Sequence, residues 1–151
     1  MQARMAHPAM TVEGAFKALV GLSDAAASTG LSKTLMELVN LRASQLNGCS
    51  VCVQMHAAAL RKEGESDERV DTVAAWRDAP YFTEAERVAL ELAEAVTLLA
   101  GPGEPVGDEL WAEVNRHYTE QQVSGLLLSI SAINVWNRLN AATRQVAGAY
   151  A

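Results

Sequence analysis

The chain has 151 residues, half of them hydrophobic and a fifth charged, with a net charge of −6 and an isoelectric point near 5.0. That length suits one domain spanning the whole chain and burying about two thirds of its unfolded surface. The acidic balance argues against nucleic acid as a partner, the apolar excess points to burial against further subunits, and the lack of a signal-peptide core or bilayer-spanning run implies a cytoplasmic protein with no membrane partner.

Residues 1–10 read as a loose N-terminal arm. The first helix is expected over Thr11 to Thr29, with Val12, Phe16, Leu19 and Val20 on one side and Gly30 as its stop. Ser32 then caps a helix that buries Leu35, Leu38, Val39 and Leu46 and carries Glu37; Arg42, five residues on, is expected to be solvated or at an interface. Asn47-Gly48 supplies a pair able to adopt positive φ, so this helix stops there and another opens at Cys49. That second helix closes on Arg61-Lys62-Glu63-Gly64, a cationic last turn followed by a stop glycine.

Ser66 caps a short helix to about Trp76, which Asp78-Ala79-Pro80 breaks. Thr83 with Glu86 forms a capping box for a helix from Glu84 to Ala100, and Gly101–Pro105 is a loop. A helix from Asp108 to about Tyr118 follows. Thr119 with Gln122 opens the last and longest helix, which runs to about Gln145 and is apolar on all sides from Val123 to Ile133, as a helix central to the fold or the assembly would be. Asn134, Asn137, Arg138 and Asn140 follow, and are expected to satisfy helix ends or subunit contacts, while Trp136 fills a hydrophobic wall. No strand alternation appears. The expected fold is therefore all-α, of about seven helices, with the CxxC at the N-terminus of the third; a thioredoxin fold, which needs βαβ units, is excluded.

The chemistry gathers between Glu37 and His56. Cys49, Cys52 and His56 are spaced 0, 3 and 7 along one helix face. If the two helices fold back about Asn47-Gly48, at a rise of roughly 1.5 Å per residue on each, Glu37 faces position 58, within a turn of His56. A carboxylate, an imidazole and two thiols then share a pocket. The helix start favours thiolate over thiol, and a glutamate behind the histidine is the base-plus-orienter pattern of nucleophilic sites. The plain alternatives are inert core cysteines, a Thr34–Glu37 capping box and a merely satisfied histidine. Cys49, Cys52 and His56 give zinc three ligands, and neither His7, His117 nor a carboxylate has the spacing of a fourth, so no metal is expected. No feature calls for a nucleotide, flavin or haem cofactor.

These residues, together with the segment Asn134-Val-Trp-Asn-Arg-Leu-Asn140 and its NxWNR pattern, resemble the AhpD-like (alkylhydroperoxidase) branch of the carboxymuconolactone decarboxylase family, over about Gly14 to Thr143. The resemblance implies an all-helical homotrimer or homohexamer and a thiol peroxidase that reduces hydroperoxides through a CxxC disulfide, which an outside reductant reopens. It implies Cys52 as the attacking thiolate, Cys49 as the resolving thiol, and His56 with Glu37 as the proton relay. Val51 stands where the best-described AhpD peroxidases carry a histidine. Two other readings stay open. In one, His56 and Glu37 do acid–base work on a carbonyl or lactone, although the lactone decarboxylases of the wider family lack the cysteine pair. In the other, a non-catalytic module uses its thiols to sense oxidation or hold a metal. Cys49 has the better dipole position, so the order of attack is open as well.

Overall fold

The computed structural model describes residues 1–100 and 103–149. Among these the chain forms eight α-helices and one 3-10 turn, with no strand. They are α1 (Pro8–Thr11), α2 (Ala15–Ala27), α3 (Lys33–Leu46), α4 (Ser50–Lys62), α5 (Asp67–Asp71), the 3-10 turn Val73–Ala75, α6 (Glu84–Thr97), α7 (Asp108–His117) and α8 (Glu120–Thr143). The all-α architecture is as the sequence predicts. The first expected helix divides at Gly14, whose φ is 78°, and α1 stands ahead of it, so the cysteine helix counts fourth. The expected Ser66 helix likewise divides into α5 and the 3-10 turn. Part of the Gly101–Pro105 loop lies outside the described residues.

The caps explain where the helices begin. Ser32 accepts the Leu35 amide, and both expected capping boxes, Thr83 with Glu86 and Thr119 with Gln122, are formed in full. Each removes unpaired amides from a helix start and fixes its first turn. Residues 1–7 run along the end of α8: the Arg4 amide donates to Thr143 O at 2.8 Å, Arg4 Nη1 to Ala142 O at 3.1 Å and Gln145 Nε2 to Met5 O at 3.0 Å.

Helix α3 is the axis, packing against α4, α6 and α8, while α2 crosses α8 on the outside. One side of α3 places Leu35, Met36 and Val39 with Val88, Leu92, Leu126 and Ile130. Another places Leu38 and Leu41 with Leu60, Val73, Trp76 and Leu90. A third, smaller cluster joins Ala43 to Cys49, Val51, Cys52 and Ile133. Thus α3 is enclosed, whereas α8, apolar though it is, leaves Leu128 and Val135 exposed. Gly125 lies so close to Thr29 that a Cβ there would overlap its hydroxyl, which is why α8 can pass directly beneath the end of α2. Among the described residues no helix is long and apolar enough to cross a membrane.

Arg42, expected in solvent or at an interface, is instead 14% exposed and donates through Nε to Glu94 Oε1 at 2.7 Å. Trp76 Nε1 donates to the same oxygen at 2.9 Å and Arg77 Nη1 to Oε2 at 2.7 Å, so one carboxylate joins α3, α6 and the turn after α5. Burial opposes ionisation of Glu94, but the hydrogen bonds from Trp76, Arg77 and Arg42 outweigh it and hold the carboxyl below the ordinary glutamate range. A carboxyl depressed by folding contributes stability above its unfolded value, near 4.5, and that contribution is lost as pH falls through the folded value. Glu94→Gln should therefore cost about 2 kcal/mol at pH ~7, and the deficit should shrink as pH falls from ~4.5 through the lower folded value, beneath which the wild-type carboxyl is neutral as well. Urea midpoints of both proteins across that range are the check; a deficit that does not change with pH would contradict it.

Candidate active site

The turn between α3 and α4 sets the geometry of the thiols. Asn47 ends α3 and Gly48 follows at φ 64°, which reverses the chain in one residue. The Cys49 amide then returns to Ser44 O at 3.0 Å. The Asn47 side chain donates to Asn134 Oδ1 and Asn137 Oδ1, both at 2.9 Å. Asn137, fully buried, donates in turn to Ser44 Oγ at 3.1 Å, and Asn134 to Thr97 Oγ1 at 3.0 Å. The polar cluster on α8 thus meets a helix end, as expected, and that helix end is the one that presents the cysteines.

Cys49 is the N-cap of α4, its sulfur accepting the Cys52 amide at 3.3 Å, and the two cysteines form a disulfide with their Cα atoms 5.4 Å apart. One helical turn separates them, so the bond closes within the first turn of α4. Four residues on from Cys52, His56 Nδ1 lies 2.6 Å from Glu37 Oε2, the two side chains 16% and 18% exposed. The hairpin register therefore delivers the predicted pairing. Ser32, not Thr34, caps α3, and the Glu37 carboxylate is committed to the imidazole rather than to a capping box. With Nδ1–H donated to Glu37, the neutral ring keeps Nε2 as a free base.

Cys52, Glu37 and His56 open on a cavity of about 690 Å³. Its walls are mostly apolar, from Phe16, Met36, Val51, Ile133 and Trp136, and Val51 brings no proton-transfer group to them. Trp136 lies against the cysteine cluster and forms part of this wall, as expected. On the other side of the disulfide, Gly48, Cys49, Ser50 and Arg144 line a smaller hollow of about 500 Å³. A wider depression of about 900 Å³ between α6 and α7 holds carboxylates and Arg77 but neither thiol nor imidazole. Among the described residues no three side chains of the metal-binding types converge.

Two residues of the cavity wall escape sequence reasoning. Asn140, buried, donates through Nδ2 to Cys52 Sγ at 3.2 Å. Its signal is the three-residue spacing of Asn134, Asn137 and Asn140, which puts all three on one slowly turning stripe of α8. His7 lines the cavity from the N-terminal segment and stacks with Trp136 at a centroid distance of 5.4 Å. Nothing local marks it.

Comparison with known proteins places these features in a family. Residues 13–95 match the model of the carboxymuconolactone decarboxylase family. The chain is 36% identical to the uncharacterised protein YdfG of Bacillus subtilis, over 94% of this chain and 95% of that one. It is 31% identical to the alkyl hydroperoxide reductase AhpD of Bradyrhizobium diazoefficiens over 52% of this chain, a stretch that is 41% of that protein. Its fold superposes with a TM-score of 0.88 on the crystal structure of ATU0492, a protein of unknown function from Agrobacterium tumefaciens assigned provisionally to antioxidant defence as an AhpD, at 33% identity over 97% of this chain and 98% of that one.

The Asn140 contact can be tested directly. A donor aimed at sulfur favours thiolate, so Asn140→Ala in a Cys49→Ser background should shift the thiol–thiolate midpoint of Cys52 upward. A pH titration of thiolate absorbance reads it, and an unmoved midpoint would remove Asn140 from the site.

Proposed function

The chain belongs to the AhpD-like group of the carboxymuconolactone decarboxylase family, and from that premise we propose that it is a thiol-dependent peroxidase working through Cys52 and Cys49. The observation that carries this reading is that Cys52, bonded to Cys49, and the Glu37–His56 pair open on one largely apolar cavity. In the reduced protein His56 Nε2 takes the Cys52 proton. The thiolate attacks one peroxide oxygen, an S–O bond forms as the O–O bond breaks, and the alkoxide leaves as an alcohol carrying the proton from His56. Cys49 then attacks the sulfenic sulfur of Cys52, the disulfide forms and hydroxide departs as water. Two electrons and two protons from an external dithiol restore the pair.

Glu37 serves as the orienter, holding the imidazole in the tautomer that leaves Nε2 free. With Val51 in the wall, the relay falls to His56 alone. Asn140 stabilises the Cys52 thiolate, which supports Cys52 as the attacking sulfur. The apolar lining suits an organic hydroperoxide better than hydrogen peroxide. A reducing cytoplasm supplies the compartment in which such a pair cycles. Met10, Phe16 and Met55, exposed around the cavity, support assembly into a homotrimer or homohexamer. The acid–base reading keeps one support, since the Glu37–His56 pair reaches the cavity independently of the sulfurs.

Fully reduced protein given one equivalent of cumene hydroperoxide should lose both thiols within seconds and regain them with dithiothreitol. Cys52→Ser should abolish turnover, whereas His56→Ala should slow it by roughly 10²–10³-fold through loss of proton transfer. Peroxide consumption by Cys52→Ser would sink the peroxidase reading, and a carbonyl- or lactone-directed activity surviving complete thiol alkylation would establish the acid–base one.

A further inference from the structure

His7 is the cavity group that the scheme above leaves unused. It caps α1: its Nδ1 accepts the Ala9 amide at 3.1 Å, so that nitrogen carries no proton and the neutral ring holds its hydrogen on Nε2. The residue is 7% exposed, and Nε2 meets no hydrogen-bond partner among the described residues. Burial pushes the imidazole below its ordinary range, so the neutral form prevails at physiological pH. The placement is built. Arg4 ties the preceding chain to the end of α8 through Thr143 O and Ala142 O, and the ring rests on Trp136, which packs on the cysteine cluster.

A buried donor left without an acceptor is costly and rare in folded proteins. The His7 side chain lines a cavity whose wall is largely apolar, with Nε2 itself closed over by its neighbours. A ligand whose entry parts the ring from its neighbours and brings an oxygen acceptor to Nε2–H satisfies it, and the largely apolar surroundings make such a bond selective. Taking the cavity as the substrate pocket, as the peroxidase reading does, we propose that His7 Nε2–H is a substrate-recognition donor, selecting molecules with an apolar body and a hydroxyl, carbonyl or peroxide oxygen placed to accept from it.

The test uses oxidised protein, so no thiol chemistry intervenes, and two inert probes of similar shape, acetophenone and cumene, of which only the first has an acceptor. His7→Asn keeps a good N-cap acceptor for α1 while its shorter side chain withdraws the donor. Ligand-observed NMR titrations should show acetophenone weakened about 5- to 20-fold in the variant, the range of one neutral hydrogen bond, with cumene changed less than about twofold. Equal losses for both probes, no loss for acetophenone, or a wild-type protein that binds neither would overturn the proposal. Because the readout is binding, a protein that fails to consume peroxide can still pass it, and one that consumes peroxide can still fail.

Discussion

The register of the α3–α4 hairpin is the constraint on which the rest of this molecule depends. A helix turns about 100° per residue, so a slip of one residue in either arm would swing His56 out of reach of Glu37. Two features hold the register. Gly48 reverses the chain in a conformation that side chains resist, and Asn47, immediately before it, is tied to Asn134 and Asn137 of α8. The first sets how the arms turn back; the second fixes the turn against a helix almost ninety residues away in sequence.

That tie gives the α8 asparagines their meaning. An Asn inside an apolar helix weakens packing unless every polar atom finds a partner. Asn137 is matched between Asn47 and Ser44, Asn134 among Asn47, Thr97 and Arg138, and Asn140 reaches Cys52. The same stripe thus secures the turn at one level and touches the Cys52 sulfur at the next. Loosening the upper contacts would disturb the lower one, since α4 begins directly at the turn.

How much of this could be read from the sequence follows from the range of each interaction. Ser32, Thr83 with Glu86, Thr119 with Gln122 and the Asn47-Gly48 stop act within a few residues, and each is observed where the pattern places it. The Glu37–His56 pairing was legible for the same reason, because a tight turn converts sequence distance into register. Arg42, Asn140 and His7 were not. Their partners Glu94, Cys52 and Trp136 lie 52, 88 and 129 residues away, and are met only once the helices have packed. Nor does local sequence reveal that α1 exists, since a four-residue helix has no periodicity to detect.

The distribution of buried polar groups carries the argument a step further. Among the described residues those that are buried are His7, Ser44, Thr97, Ser129, Asn134, Asn137, Asn140 and Thr143. All belong to α8, to elements bonded to it, or to the wall of the thiol cavity. Burial of polar atoms costs stability wherever it occurs, and a fold needing only cohesion would spread or avoid it. Its concentration along α8 and the elements bonded to it marks that seam as a place where position matters as well as packing. Within that set Ser44, Asn134 and Asn137 hold the hairpin turn through their bonds with one another and with Asn47, Asn140 reaches Cys52, and His7 keeps a ring nitrogen with no partner among the described residues.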